Sequence, residues 1–140
     1  MAKAKPAPQL IGWKELVDFP DWRLRKVRVK VDTGARTSAL DVSSYELHQE
    51  ADGTVAELRL ALYRKHPERV KVVRAKVLRM VVVSNSNGMK EQRPLIETRI
   101  RLGNVTRTIQ LTITNRCSMC FPAILGRKFL EGNFLVDVSR

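Results

Sequence analysis

The sequence predicts an all-β fold, a closed barrel or sandwich of short strands, and three observations carry the prediction. Apolar and charged residues alternate in several short runs, as in Val27, Val29 and Val31 set against Lys26, Arg28 and Lys30. The turn pairs Asn87-Gly88 and Gly103-Asn104 each separate two such runs. Helical periodicity is nearly absent, so no parallel sheet with alternating helices is expected.

A chain of 140 residues holds one domain with one modest core. Residues 1–10, rich in Ala, Lys and Pro, bury too little to order themselves and are expected to form a disordered basic tail. Residues 11–140 are then the single domain. Trp13 and Trp22 read as packing anchors. From Leu24 the valines line one face of a half-buried strand, and Asp32 falls on the side away from them. A turn or so of helix is expected over 43–49, and a strand over 55–62.

The valine-rich run 69–83 switches its apolar parity near Val72 and again near Leu78, which predicts bulges or a bend. The polar stretch Ser84 to Arg93 reads as a hairpin tip, because Asn87 and Gly88 both tolerate positive φ. Next, Ile96, Ile100 and Leu102 line one strand face, Gly103-Asn104 turns the chain, and Val105, Ile109, Leu111 and Ile113 line the returning strand. A short helix is expected at Arg127 to Glu131, ended by Gly132, before a last strand from Phe134 to Val138. There is no internal repeat.

Hydrophobic residues make up 44% and charged residues 29%, which fits a folded globular domain and excludes a disordered one. The formal charge of +12 favours acidic partners, whether nucleic acid, anionic membrane or acidic peptide, and charge alone does not choose among them. Cys117 and Cys120 are the only cysteines, so no disulfide framework holds the fold and a reducing compartment is expected. No apolar segment follows the first lysines and no run reaches the length of a membrane span. The chain is accordingly expected in the cytoplasm, away from membranes.

The chemistry-bearing motif is Asp32-Thr33-Gly34, placed directly after a strand. Glycine lets another backbone approach, threonine offers a hydroxyl to tie the loop, and the aspartate is free to point into a cleft. The same three residues also occur at ordinary strand-to-turn junctions. One carboxylate does not suffice for peptide hydrolysis of this type: one group must take a proton from water while another gives one to the carbonyl, which two aspartates sharing a proton accomplish. A second signal lies far downstream in Ala123-Ile124-Leu125-Gly126-Arg127, where two aliphatics and a glycine are suited to packing beneath the first loop.

Asp-Thr-Gly-Ala after a strand and a late Ile-Leu-Gly-Arg before a C-terminal helix resemble the paired hallmarks of the retropepsins. The strings Ile11-Gly12-Trp13, Lys30 through Leu40, Leu111 through Arg116 and Ile124 through Arg127 resemble a bacterial retropepsin-like family commonly labelled ATP-dependent zinc protease. This resemblance implies a closed, mostly antiparallel acid-protease barrel with one short C-terminal helix, and a homodimer that pairs two Asp32 residues beneath a flap. It makes Asp32 the catalytic residue, with Thr33, Gly34 and Gly126 supporting its loop. Asn87 and Gly88 would lie in the flap. Arg36 and Arg127 match the family pattern and serve either as substrate contacts or in ion pairs that hold the loop.

Neither half of that label is written in the residues. There is no His-Glu-x-x-His and no phosphate-binding Gly-rich loop, and His48 and His66 are far apart in sequence. Cys117 and Cys120 have the spacing of half a zinc knuckle with no second pair to complete it, and read as two small packed residues. No cofactor or metal is expected. The family is associated with ATP-grasp ligases that attach amino acids, including glutamates, so acidic or amino-acid-ligated peptides are the expected substrates and a functional link to such a ligase is implied. Arg23, Arg25, Lys26, Arg28 and Lys30 read as a solvated strand face, and nucleic acid is not the expected partner. The alternative function is a catalytically silent retropepsin-like module that binds acidic or nucleic-acid partners through its charge.

Overall fold

The computed structural model describes residues 7–62, 69–84, 87–115 and 121–140. His66, Cys117 and Cys120 lie outside these, as do residues 1–6 of the expected tail and residues 85 and 86 of the expected hairpin tip.

Six strands close a barrel. Their order is β2 (Lys14–Phe19), β3 (Leu24–Val31), β10 (Ala123–Leu125), β4 (Ser38–Asp41), β9 (Val105–Thr114) and β8 (Lys90–Leu102), with Asp18 of β2 meeting Arg101 of β8 to complete the ring. Alternation in sequence becomes the barrel's inside and outside. Val27, Val29 and Val31 face the core while Arg28 and Lys30 face solvent, and Ile96, Ile100, Leu102, Ile109, Leu111 and Ile113 are all buried. Leu102 pairs directly with Val105, so the turn between β8 and β9 is as tight as Gly103-Asn104 predicts, with Gly103 at φ +60°.

β3 contains one irregularity that its composition does not announce. Lys26 takes a φ of 55°, the register against β2 shifts between Val17 and Phe19, and the Lys26 N–H, freed from the ladder, donates to Asp18 Oδ1 at 3.0 Å.

Beyond β8 the sheet continues as β7 (Val70–Ser84), β6 (Gly53–Ala61) and β5 (Ser44–Glu50). This extension shares the barrel's core: Ala56, Leu58, Leu60, Val73 and Ala75 belong to one buried cluster with the barrel residues. The indole N–H of Trp22, which lies in a 3-10 turn at Pro20–Trp22, donates to Arg74 O of β7 at 3.2 Å. The helical turn expected over 43–49 is instead strand. All seven residues of β5 pair in register with β6, and a continuous ladder outweighs weak local helix preference.

The bulge expected near Leu78 is present as a register shift between Val77 and Arg79. None occurs at Val72, where the ladder from Val70 to Lys76 is regular and Val72 simply faces solvent.

The expected tail is also shorter than residues 1–10. Gln9–Ile11 form β1, which runs parallel to β11 (Phe134–Val136); the Gln9 N–H donates to Asn133 O at 3.0 Å and Ile11 is buried. A neighbouring strand supplies the partner that local composition lacks. Trp22 is a buried anchor as expected. Trp13 is 37% exposed, with the Lys14 ammonium 4.5 Å from its ring. The one α-helix among the described residues, α1 (Arg127–Leu130), buries Phe129 and Leu130, and Gly132 follows it at φ +79°.

Candidate active site

Asp32 leaves the end of β3 at the place where three chain segments are tied together. β10 runs parallel to β3, with Leu125 opposite Val31, and antiparallel to β4, with Ala123 opposite Leu40. The loop from Asp32 to Thr37 therefore passes over the point where β10 turns into α1. Backbone bonds fasten it from both sides: Asp32 N–H to Leu125 O at 2.9 Å, Arg127 N–H to Ala35 O at 2.8 Å and Lys128 N–H to Arg36 O at 3.0 Å. The last two use N–H groups that a helix start leaves unpaired, so the loop caps α1 while α1 holds the loop.

Gly126 is where the segments approach most closely. A Cβ placed there would stand 2.4 Å from Thr37 O and 2.9 Å from Ala35 O, both backbone atoms. Only glycine fits. Its N–H donates to the buried Ser38 Oγ at 3.0 Å. Sequence reasoning did not single out Ser38. A buried serine six residues after the aspartate carries no signal until β10 is seen beside β4.

Asp32 is half-buried, and its Oδ1 accepts the Gly34 N–H at 2.9 Å. Among the described residues no other group hydrogen-bonds this carboxylate. Thr33 and Gly34 are exposed, and the Thr33 hydroxyl has no partner among the described residues. The loop thus leaves one carboxylate oxygen and one hydroxyl without a hydrogen-bond partner among the described residues, on a base fastened from both sides.

Arg127 Nη1 donates to Thr33 O at 3.0 Å, so its charge lies against the loop. Neither Arg127 nor Arg36 is in an ion pair among the described residues. The expected carboxylate partners are replaced, for Arg127, by a carbonyl. Asn87 and Gly88 lie at the tip of the β7–β8 hairpin, whose last pair is Ser84 with Lys90, and Gly88 has φ +77°.

A groove of about 400 Å³ runs from that hairpin toward the loop. Val81 and Val83 of β7, Leu95 of β8 and Thr112 of β9 line it, as do Thr37, Arg79 and Lys128. It touches the far end of the Asp32 loop and does not include Asp32 itself. The donors around Asp32 are hydroxyls, amides and guanidinium groups, which do not fit a zinc centre at this loop.

Residues 10–140 match the family model described as RimB-like, retropepsin-like aspartic endopeptidase RimB. The chain is 30% identical over 136 residues to a protein of Desulfotalea psychrophila named "Probable alpha-L-glutamate ligase", which covers 94% of this chain and 28% of that protein. A protein of the same name from Parasynechococcus marenigrum is 32% identical over 133 residues, covering 91% of this chain and 28% of the relative. The chain therefore spans little more than a quarter of these curated relatives. A crystal structure of a Legionella pneumophila protein of unknown function superimposes with a TM-score of 0.77 at 22% identity, covering 94% of this chain and 95% of that one, which establishes the shared fold. The match over residues 10–140, together with the strand, loop and glycine arrangement around Asp32, places the chain in the RimB-like family of retropepsin-like aspartic endopeptidases.

Proposed function

We propose that the chain supplies half of an aspartic peptidase active site and that two copies complete it, hydrolysing acidic or amino-acid-ligated peptides. The observation that carries this reading is the Asp32 carboxylate, pinned through Oδ1 to its own loop on a base that admits no side chain at Gly126, with Oδ2 left without a partner among the described residues. Two such carboxylates brought together do not both ionise, so the pair keeps one proton. The ionised member takes a proton from water as the oxygen attacks the peptide carbonyl, and the protonated member donates to the carbonyl oxygen. Collapse of the tetrahedral adduct expels the amine with one of these protons, and the pair returns to its starting state.

Three features support the finer points. These 140 residues carry one Asp-Thr-Gly loop, and a second copy of the same segment is the simplest source of the other. Leu10 and Leu135 are directly registered in the β1–β11 pair and are 48% and 57% exposed, an apolar surface suited to contact between copies. Arg79 and Lys128 are among the residues that line the groove, and the whole chain is at +12, which would steer an acidic peptide inward. The relatives' name, which refers to glutamate ligation, agrees with a substrate carrying added glutamates.

The test is Asp32→Asn against a peptide extended with glutamates, followed by mass spectrometry. Asparagine keeps the Oδ1 acceptor for Gly34, so the fold should persist while cleavage disappears. Retained cleavage refutes the mechanism. The charge also favours a second reading, a non-catalytic module that binds acidic partners; binding that weakens steeply with salt and yields no cleavage by the wild type would establish that reading instead.

A further inference from the structure

We infer that Glu46, His48 and Glu57, on the outer face of the β5–β6 hairpin, form a three-donor site for a divalent transition-metal cation of the zinc class. The site is separate from Asp32, at the other end of the sheet order.

The backbone sets the donors together. Glu46 and Glu57 are directly opposite in the β5–β6 ladder, and His48 is two residues along β5, so all three side chains share one face. His48 Nε2 lies 3.7 Å from a carboxylate oxygen of each glutamate, beyond hydrogen-bond reach of both. That nitrogen is shut off from solvent, in a side chain 41% exposed overall, and has no hydrogen-bond partner among the described residues. Potential ligand atoms of the three residues all lie within 4.8 Å of one another.

Like charges directly opposite on a ladder destabilise it, and an imidazole nitrogen enclosed without a partner costs a hydrogen bond. Arg74, which faces Glu57 across the β6–β7 ladder, is committed to Glu50. A dication centred among the three groups offsets both costs at once. Tetrahedral zinc with bonds of about 2.0–2.1 Å needs donors roughly 3.3 Å apart, which small rotations of two flexible glutamate side chains achieve from the present spacing. A nitrogen donor with two carboxylates favours zinc and its neighbours over magnesium or calcium, which take oxygen ligands. Glu46 is 67% exposed at its side chain, leaving a fourth position for water. Its consequence is structural: the cation would pin the outermost strand of the extension.

The experiment is isothermal titration of the full chain with Zn²⁺, paired with thermal unfolding. The expected result is one equivalent bound per chain and a raised midpoint. His48→Ala and Glu57→Gln should each weaken binding at least about tenfold and remove the thermal shift, whereas the double substitution of Cys117 and Cys120 by serine should leave both intact. Undiminished binding by His48→Ala, loss of binding in the cysteine variant, or no binding by the wild type would each overturn the assignment.

Discussion

Replacing Gly126 by alanine adds one methyl group at the point where the candidate active-site loop meets the start of α1. The new Cβ would lie 2.4 Å from Thr37 O, 2.7 Å from Thr37 C and 2.9 Å from Ala35 O, and no flexible side chain can move aside. Relief requires a shift of the loop backbone. That shift strains the bonds from Gly126 N–H to Ser38 Oγ, Arg127 N–H to Ala35 O and Lys128 N–H to Arg36 O. Overpacking costs about 1–3 kcal/mol and the three hydrogen bonds, strained but not broken, about 2 kcal/mol together, so a total of roughly 3–5 kcal/mol is expected. In a domain of this size that lowers the midpoint by about 10–15 °C. Urea unfolding followed by fluorescence, with buried Trp22 as the reporter, measures it. Gly88→Ala is the control: among the described residues nothing lies within 4 Å of its Cβ position, and its φ of +77° opposes a side chain, costing about 1–2 kcal/mol. A Gly126→Ala protein within about 1 kcal/mol of wild type would refute the steric account of the loop.

Ser38→Ala should cost about 1–3 kcal/mol, because it leaves the enclosed Gly126 N–H without an acceptor; urea unfolding checks it, and a neutral result would mean that water replaces the hydroxyl. Asp21 accepts from Arg99 Nε and Nη2 at 2.9 and 2.6 Å, and this bonding holds its carboxyl below the usual 3.8. A depressed folded-state value means that the carboxylate's contribution is complete above the unfolded value and is lost as pH falls through the folded one. Asp21→Asn should therefore lower the melting temperature slightly at pH 7, with the difference from wild type shrinking below about pH 4. A difference that grows on acidification would contradict the pairing.

Much of the barrel was legible because its strands alternate strictly. The β8–β9 hairpin, its Gly103 turn and the inward valines of β3 follow from period-two patterning alone, and the Leu78 irregularity from its interruption. What stayed hidden depended on partners distant in sequence. Gln9 and Leu10 look like tail until β11 is beside them, and residues 43–49 look weakly helical until all of β5 meets β6. That second misreading also concealed the Glu46, His48 and Glu57 cluster. On a helix, residues two apart do not share a face, whereas on a strand they do, and Glu57 arrives only through the hairpin. For the candidate active site, Asp32 and Gly126 were visible as motif residues; Ser38 and the bond from Arg127 to Thr33 O came only with the three-dimensional arrangement.

The central claim, that two Asp32 carboxylates from two chains make one catalyst, is tested most directly by subunit mixing. A fixed amount of wild type is titrated with Asp32→Asn chain, with time allowed for exchange, and cleavage of a glutamate-extended peptide is followed. If both carboxylates are required, activity per wild-type chain falls in proportion to the fraction of wild-type partners and approaches zero in excess variant. Activity that stays constant as the variant is added would show that one chain acts alone, and would contradict the account.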